Sequence, residues 1–289
     1  MNYKITGYST ALFSTWFFIE ELGLLFDAGD GLSAQLLQKS RKIKEVFISH
    51  ADRDHLTGLT QFTQLNGRDG YPKIHYPADC GSFPALKSFL EKFDPHVSGT
   101  KWIPIKEAMA FEIKGNIYVE SIRNNHVLAK KELSKSLSYR VVNKKRKIKK
   151  EFEHLSGKEI AQISKSKGRT FLTNEVKENL IGYSGDSPIE DYERWEGTKL
   201  LIHESTFLKA EVGLNNHANK HSTLEEVMEM VASIKIEKLI LTHFSSRYSK
   251  AEIEESIKAM IKKYNIKIPV YCVLPGASYG DILAGNPVN

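Results

Sequence analysis

Four side chains that can bind a metal or move a proton fall within six consecutive residues. They are His50, Asp52, Asp54 and His55, in the stretch Ser49-His-Ala-Asp-Arg-Asp-His-Leu-Thr-Gly58. Imidazole nitrogens and carboxylate oxygens form a donor set that suits zinc, with manganese and iron as the other candidates. On a tight loop, His50 and the residue two further on can reach one ion while Asp54 and His55 face another. A pair of divalent ions needs about three or four ligands each, more than this stretch supplies. His126, Asp186 and His243 are candidates for the remainder, and the two oxygens of an aspartate such as Asp186 can bridge both ions. The competing reading of residues 50–55 is a polar turn at the end of a strand.

These residues recur at one kind of place. Residues 43–49 read as a buried strand ending at His50, and residues 116–122 as a strand ending shortly before His126. Short apolar runs at 181–184, 200–202 and 239–241 end at Asp186, His203 and His243. Ligands of α/β folds bind beyond the carboxyl ends of strands, so five such ends can converge on one site. Further strands are expected at 13–19, 22–27 and 269–274, and helices at 31–40, 57–65, 224–233 and 251–264. In the third helix Leu224, Val227, Met228 and Val231 share one face. His203 is expected to orient or pack rather than ligate. His217 is expected in a loop, and His75, His96 and His154 at the surface or in turns.

The 289 residues are 41% hydrophobic and 26% charged, the balance of a soluble globular protein. Cys80 and Cys272 have no CxxC spacing, which excludes a disulfide framework and a thiolate zinc knuckle. Any metal must be held by histidine and carboxylate, and the lone thiols suit a reducing compartment. The apolar run Ala11–Ile19 is too short to span a bilayer and lacks the flanks of a signal peptide. It reads as a core strand, with a cytoplasmic protein and no membrane partner as the expectation. The net charge of +6 is unevenly spread: residues 128–170 hold fourteen Lys or Arg against four Asp or Glu. The lysine run Asn143–Lys150 reads as a solvated, mobile hairpin or loop, or as a surface for phosphate backbones.

Seven ordered pieces span nearly the whole chain: Leu25-Phe-Asp-Ala-Gly-Asp-Gly31, His50-Ala-Asp-Arg-Asp-His55, His126, Tyr183-Ser-Gly-Asp186, His203-Glu-Ser-Thr-Phe207, His221-Ser-Thr223 and Leu241-Thr-His-Phe-Ser-Ser-Arg-Tyr248. Together they resemble the metallo-β-lactamase superfamily, and its ribonuclease Z branch in particular. The resemblance implies an α/β fold, the four-layer αβ/βα sandwich of two facing mixed sheets flanked by helices. It implies one hydrolase domain over residues 1–289, with the basic insertion at about 128–180. It also implies two divalent ions, zinc foremost. His50, His126 and Asp186 would hold the first, and Asp54, His55, Asp186 and His243 the second, with Asp52 a candidate additional ligand. Family members attack a phosphodiester with a metal-bridging hydroxide. Asp54 would orient or deprotonate that water, and His221, supported by Glu204, would donate a proton to the leaving oxygen. Arg247 and Ser245 would meet the substrate phosphate. The implied function is a metal-dependent phosphodiesterase or endoribonuclease acting on RNA, with tRNA 3′-end processing as the specific version and a homodimer as the assembly.

The chain departs from the family pattern in three places. The family motif is HxHxDH, and Asp52 replaces its second histidine. Ser9–Thr15 lacks the glycines of the family's N-terminal stretch, and the basic insertion has no Gly-Pro segment. An added carboxylate lowers the positive charge of a metal site and favours harder ions. These departures keep two other readings open: a small-molecule phosphodiesterase, such as one for cyclic nucleotides, on the same site; and a non-catalytic RNA-binding relative with a weakened metal site.

Overall fold

The computed structural model describes residues 3–94, 96, 98–209 and 220–289. Chain order begins with the hairpin β1 (Ile5–Thr10) and β2 (Ser14–Ile19), followed by β3 (Leu24–Phe26), α1 (Leu32–Leu36) and β4 (Glu45–Phe47). Next come α2 (Arg53–Leu56), α3 (Leu59–Asn66), β5 (Lys73–Pro77), α4 (Ser82–Phe93) and β6 (Lys101–Ile105). These six strands form one sheet in sequence order, antiparallel from β1 to β3 and parallel from β3 to β6.

The second half opens with β7 (Ala110–Lys114), β8 (Ile117–Arg123) and β9 (Leu137–Ile148). After α5 (Gly157–Lys167) and α6 (Arg169–Leu172) come β10 (Thr173–Tyr183) and β11 (Thr198–Glu204). Then follow α7 (Leu224–Ser233), β12 (Ile236–Thr242), α8 (Lys250–Tyr264) and β13 (Val270–Cys272). Strands β13 to β7 make the second sheet in reverse sequence order. Its β7 to β10 are antiparallel neighbours and its β10 to β13 parallel ones.

Alternation along the strands builds three buried layers. Phe17, Ile19 and Phe26 face Tyr139, Tyr183, Ile202 and Ile240 between the sheets. The residues alternating with the last two, Leu201, Leu239 and Leu241, point outward onto Val227, Met228, Ile253 and Ile257 of α7 and α8. Trp16, Phe18, Leu25 and Val46 do the same beneath α1, α3 and α4. Both faces of each central strand are therefore covered, which is why these strands read as continuous apolar runs. The result is the expected four-layer sandwich. Capping boxes at Thr223/Glu226 and Ser249/Glu252 start α7 and α8, where sequence placed those helices to within a residue.

Two expectations change and a third is decided. The run Ala11–Ile19 is not all strand: Ala11–Phe13 is the hairpin turn, with Leu12 and Phe13 exposed. His75 is neither a surface nor a turn residue. It is buried on β5, stacked on Phe47 with ring centroids 4.1 Å apart, and its Nε2 lies 2.8 Å from the buried Glu45 carboxylate. Finally, of the hairpin and the loop left open for the lysine run, the structure has paired strands: Lys144–Ile148 lies on β9, antiparallel to β10. Beyond a pairing irregularity at Asn179–Ile181, β9 and β10 run out as an exposed two-stranded arm, pairing Asn143 with Glu178 through to Ile148 with Thr173. His217 lies outside the described residues. Among the described residues no helix is long and apolar enough to cross a membrane.

The arm leaves the sheet at the edge opposite His126 and Asp186, because β9 starts, and β10 ends, beside those residues. Eleven steps along β9 at about 3.3 Å each place the arm's tip roughly 35 Å from that edge.

Candidate metal centre

The strand ends do converge. His50 follows β4, His126 follows β8, Asp186 follows β10, Glu204 ends β11 and His243 follows β12. Asp54 and His55 sit on the single turn α2, whose start at Asp52 turns the chain across the sheet edge. Close packing holds this turn: a Cβ on Gly58 would stand 2.1 Å from the Gly29 carbonyl oxygen, so the loop after β3 and the turn before α3 touch backbone to backbone. His243 and Asp27 both take left-handed backbones, with φ of 62° and 52°. Such conformations cost about 1–3 kcal/mol and persist where the surroundings dictate them.

Ligand-capable atoms gather in overlapping groups. Asp54, His55, Asp186 and His243 form one buried set, and His50, Asp52 and His126 a second. Asp186 lies between them, with Oδ2 3.3 Å from His55 Nε2 and 3.7 Å from His50 Nε2, and Oδ1 3.3 Å from His243 Nε2. Asp54 Oδ2 is 3.3 Å from His243 Nε2 and 3.5 Å from His55 Nε2. Asp52 Oδ2 stands 3.5 Å from His50 Nε2 and 3.7 Å from His126 Nε2. Most of these separations are long for hydrogen bonds. They match two donors sharing one tetrahedral ion, since atoms about 2.1 Å from a common centre lie about 3.4 Å apart.

The hydrogen bonds around the rings fix the same answer. His55 Nδ1 donates to Asp27 Oδ2 at 2.8 Å. The Ser49 hydroxyl donates to Asp27 Oδ2 and so accepts from His50 Nδ1 at 2.9 Å. His126 Nδ1 donates to the Lys220 carbonyl at 3.1 Å. The Thr206 hydroxyl donates to Glu204 Oε2 at 2.5 Å and accepts from His243 Nδ1 at 2.9 Å. In each ring the proton is committed at Nδ1, leaving a lone pair on Nε2 facing the cluster. His50 Nε2 and His55 Nε2 are buried and have no hydrogen-bond partner. A buried, partnerless acceptor is costly unless something binds it, and orienting Nδ1 contacts are the usual support of metal-binding imidazoles. The residues present therefore fit divalent metal ions.

Charge is consistent with this. His126 and His50 hold the Asp52 carboxyl well below the usual carboxylate range. Burial opposes the charge on Asp54, but His243 and His55 outweigh it and keep that carboxyl low as well.

His221 borders both groups. Its Nδ1 donates to Glu204 Oε1 at 2.9 Å, and its ring lies 4.8 Å from that of His126 and 5.5 Å from that of His243. Burial works against a charge on His221, but Glu204 raises it to about 9. Glu204 is itself buried and held by the Ser187 amide at 2.7 Å. Arg247 and Ser245 lie in the turn after β12. The Arg247 guanidinium stands over the Phe207 ring, 5.4 Å from its centroid, and its Nε donates to Ser245 Oγ at 3.1 Å. His203 is buried outside the cluster, with Nδ1 donating to the Glu204 carbonyl at 2.7 Å. His96 and His154 are exposed and remote. Sequence reasoning assigned no role to Asp27 or Thr206, which orient the rings. Asp27 follows β3 just as His50 follows β4, so the strand-then-acid pattern could have flagged it.

The sequence pattern of the beta-lactamase superfamily domain matches residues 23–149. The chain is 28% identical to the chloroplastic tRNase Z TRZ2 of Arabidopsis thaliana over 282 residues, covering 92% of this chain and 74% of the relative. In fold it is similar to the metallo-beta-lactamase fold protein YhfI from Bacillus subtilis, with a TM-score of 0.63, 16% identity and coverage of 96% and 100% of the two chains. It is also similar to the short form of human tRNase Z, with a TM-score of 0.59, 18% identity and coverage of 85% and 93%. Sheet order, clustered donors and matched sequence agree: the chain is a metal-dependent hydrolase with the metallo-β-lactamase fold, similar in sequence to tRNase Z relatives.

Proposed function

We propose that the protein is a phosphodiesterase acting on RNA, with removal of a tRNA 3′ trailer as its reaction. The observation that carries this reading is the His221–Glu204 pair set against the His/Asp cluster, because it supplies a proton donor beside a metal-type site. His50, Asp52 and His126 would hold one divalent ion, and Asp54, His55 and His243 the other, with Asp186 shared. Zinc is the first candidate. Metal bound there supplies Lewis acidity toward the phosphate and a water of lowered pKa.

The protein's own groups do the rest. Asp54 accepts the proton of the attacking water, or orients that water, from within the buried set. His221, kept protonated by Glu204, donates to the departing 3′ oxygen, and Arg247 meets a phosphate oxygen. Basic side chains on the arm support an extended substrate rather than a small one. Lys144, Lys145, Arg146, Lys147 and Arg169 line one open groove there. A cyclic nucleotide reaches only one of two places about 35 Å apart, whereas a folded RNA is long enough for both.

The test is incubation of purified protein, loaded with zinc or manganese, with a tRNA precursor carrying a 3′ trailer. Release of the trailer is expected. An intact precursor alongside hydrolysis of a cyclic nucleotide would replace RNA by a small substrate. Salt-sensitive RNA binding without hydrolysis under either metal would make the protein a non-catalytic RNA-binding relative.

A further inference from the structure

The two halves of the cluster differ in one respect that sequence cannot weigh. Asp54, His55, Asp186 and His243 are all buried. In the other group His50 and His126 are buried, while the Asp52 side chain is 60% exposed. Asp52 occupies the turn that starts α2, its side chain makes no capping hydrogen bond, and among the described residues its only ion-pair partners are His50 and His126. An exposed carboxylate held only by the groups it would share an ion with is an easily opened ligand. It is also a hard oxygen donor where a softer imidazole would favour zinc. Among the described residues no thiol belongs to this group. Cys80 is the nearest thiol in the sequence neighbourhood, and burial pushes it up to about 11, so it stays protonated.

We infer that the site formed by His50, Asp52 and His126 is exchangeable and accepts a hard divalent cation of the manganese class, while the Asp54/His55/Asp186/His243 site retains its ion. The inference rests on the dinuclear reading of the proposed function, but not on any substrate.

The experiment uses the full-length protein, purified without chelator and then dialysed against a mild chelator. Metal per chain is read by elemental analysis, and rebinding by the manganese electron paramagnetic resonance signal. The wild type is expected to keep about one ion per chain and to regain a second on adding manganese. Asp52→Ala is expected to weaken that second, manganese-binding step at least tenfold while the first ion stays. Asp52→His is expected to hold two zinc ions through dialysis and to shift the zinc-over-manganese preference of the second site at least tenfold toward zinc. Asp52→Asn, nearly the same shape, serves if the histidine variant does not fold, with the same loss expected as for alanine. Two wild-type ions leaving at indistinguishable rates would overturn the inference, as would an Asp52→Ala protein that binds the second ion unchanged. Uptake of a single ion under saturating metal would instead sink the dinuclear reading itself.

Discussion

The carboxylate of Asp27 takes four donors at once: His55 Nδ1, the Ser49 amide at 2.6 Å, the Ser49 hydroxyl, and the Tyr183 hydroxyl. Burial and Asp27 together push the Tyr183 phenol well above its usual range, so it stays a donor. Through these bonds one residue that touches no ligand position fixes His55 directly and His50 by way of Ser49. Asp27→Asn places a donor where four donors already point. Metal affinity is expected to fall about 10–100-fold, the usual cost of losing such a support, read as metal per chain after dialysis. His221 behaves differently, since it holds no other imidazole in place, whereas Glu204 also supports His243 through the Thr206 hydroxyl. His221→Ala is expected to lower kcat on an RNA substrate about 10²–10⁴-fold with metal content unchanged, while Glu204→Gln is expected to lower both kcat and metal retention. A fall in metal content of His221→Ala that parallels its fall in activity would show that His221 is structural.

At the scale of elements, the β9–β10 arm is the part whose role is separable from the site. Its charge is partly neutralised: Lys145 meets Glu178 at 2.6 Å, and Lys144 stands 4.2 Å from the centre of the Tyr118 ring. Below the arm, Glu120 is held by Lys177 at 2.8 Å and Arg140 at 3.1 Å, which anchors both strands to β8. Replacing Lys144, Lys145, Arg146 and Lys147 by Ala is expected to weaken RNA binding uniformly across sequences. The slope of log affinity against log salt should become shallower by about 0.7–0.9 for each RNA phosphate that the arm no longer neutralises. Folding should be nearly untouched, because an exposed pair such as Lys145–Glu178 contributes about 0.2–1 kcal/mol. Binding and salt slope that do not change would remove the arm from the substrate path. A small phosphodiester should be hydrolysed at the same rate by both proteins.

For the whole molecule, the metal cluster is where the two sheets meet. Asp27, His50, Asp54 and His55 come from the first, and His126, Asp186, Glu204 and His243 from the second. An ion held by residues of both sheets binds the folded chain and not the unfolded one, so it stabilises the folded chain as a whole. At an ion concentration 1,000 times its dissociation constant the gain is about 4 kcal/mol. Removing metal with a strong chelator is therefore expected to lower the melting temperature by several degrees, and adding zinc back should restore it. A melting curve indifferent to chelator would mean that the cluster is held together without metal.

The chain by itself determined which donors are present and where along the strands they fall, because donor type and strand-end position are local properties. It also set the start and length of α7 and α8, where capping boxes and a single apolar face agree. The basic insertion was visible as charge, but not as structure. Its lysines sit on both faces of an exposed pair, so no apolar alternation marked β9, and only pairing with β10 across the intervening α5 and α6 makes it a strand. Long-range packing decided the rest. Asp27 and Tyr183 are 156 residues apart, and His243 and Asp54 are 189 apart. The direction of each imidazole proton depends on such partners, and so do the burial of His75 and the exposure of Asp52. Sequence spacing therefore named the candidate ligands. Only the packing of one sheet on the other turned their Nε2 atoms inward together and sent the basic arm out of the opposite edge.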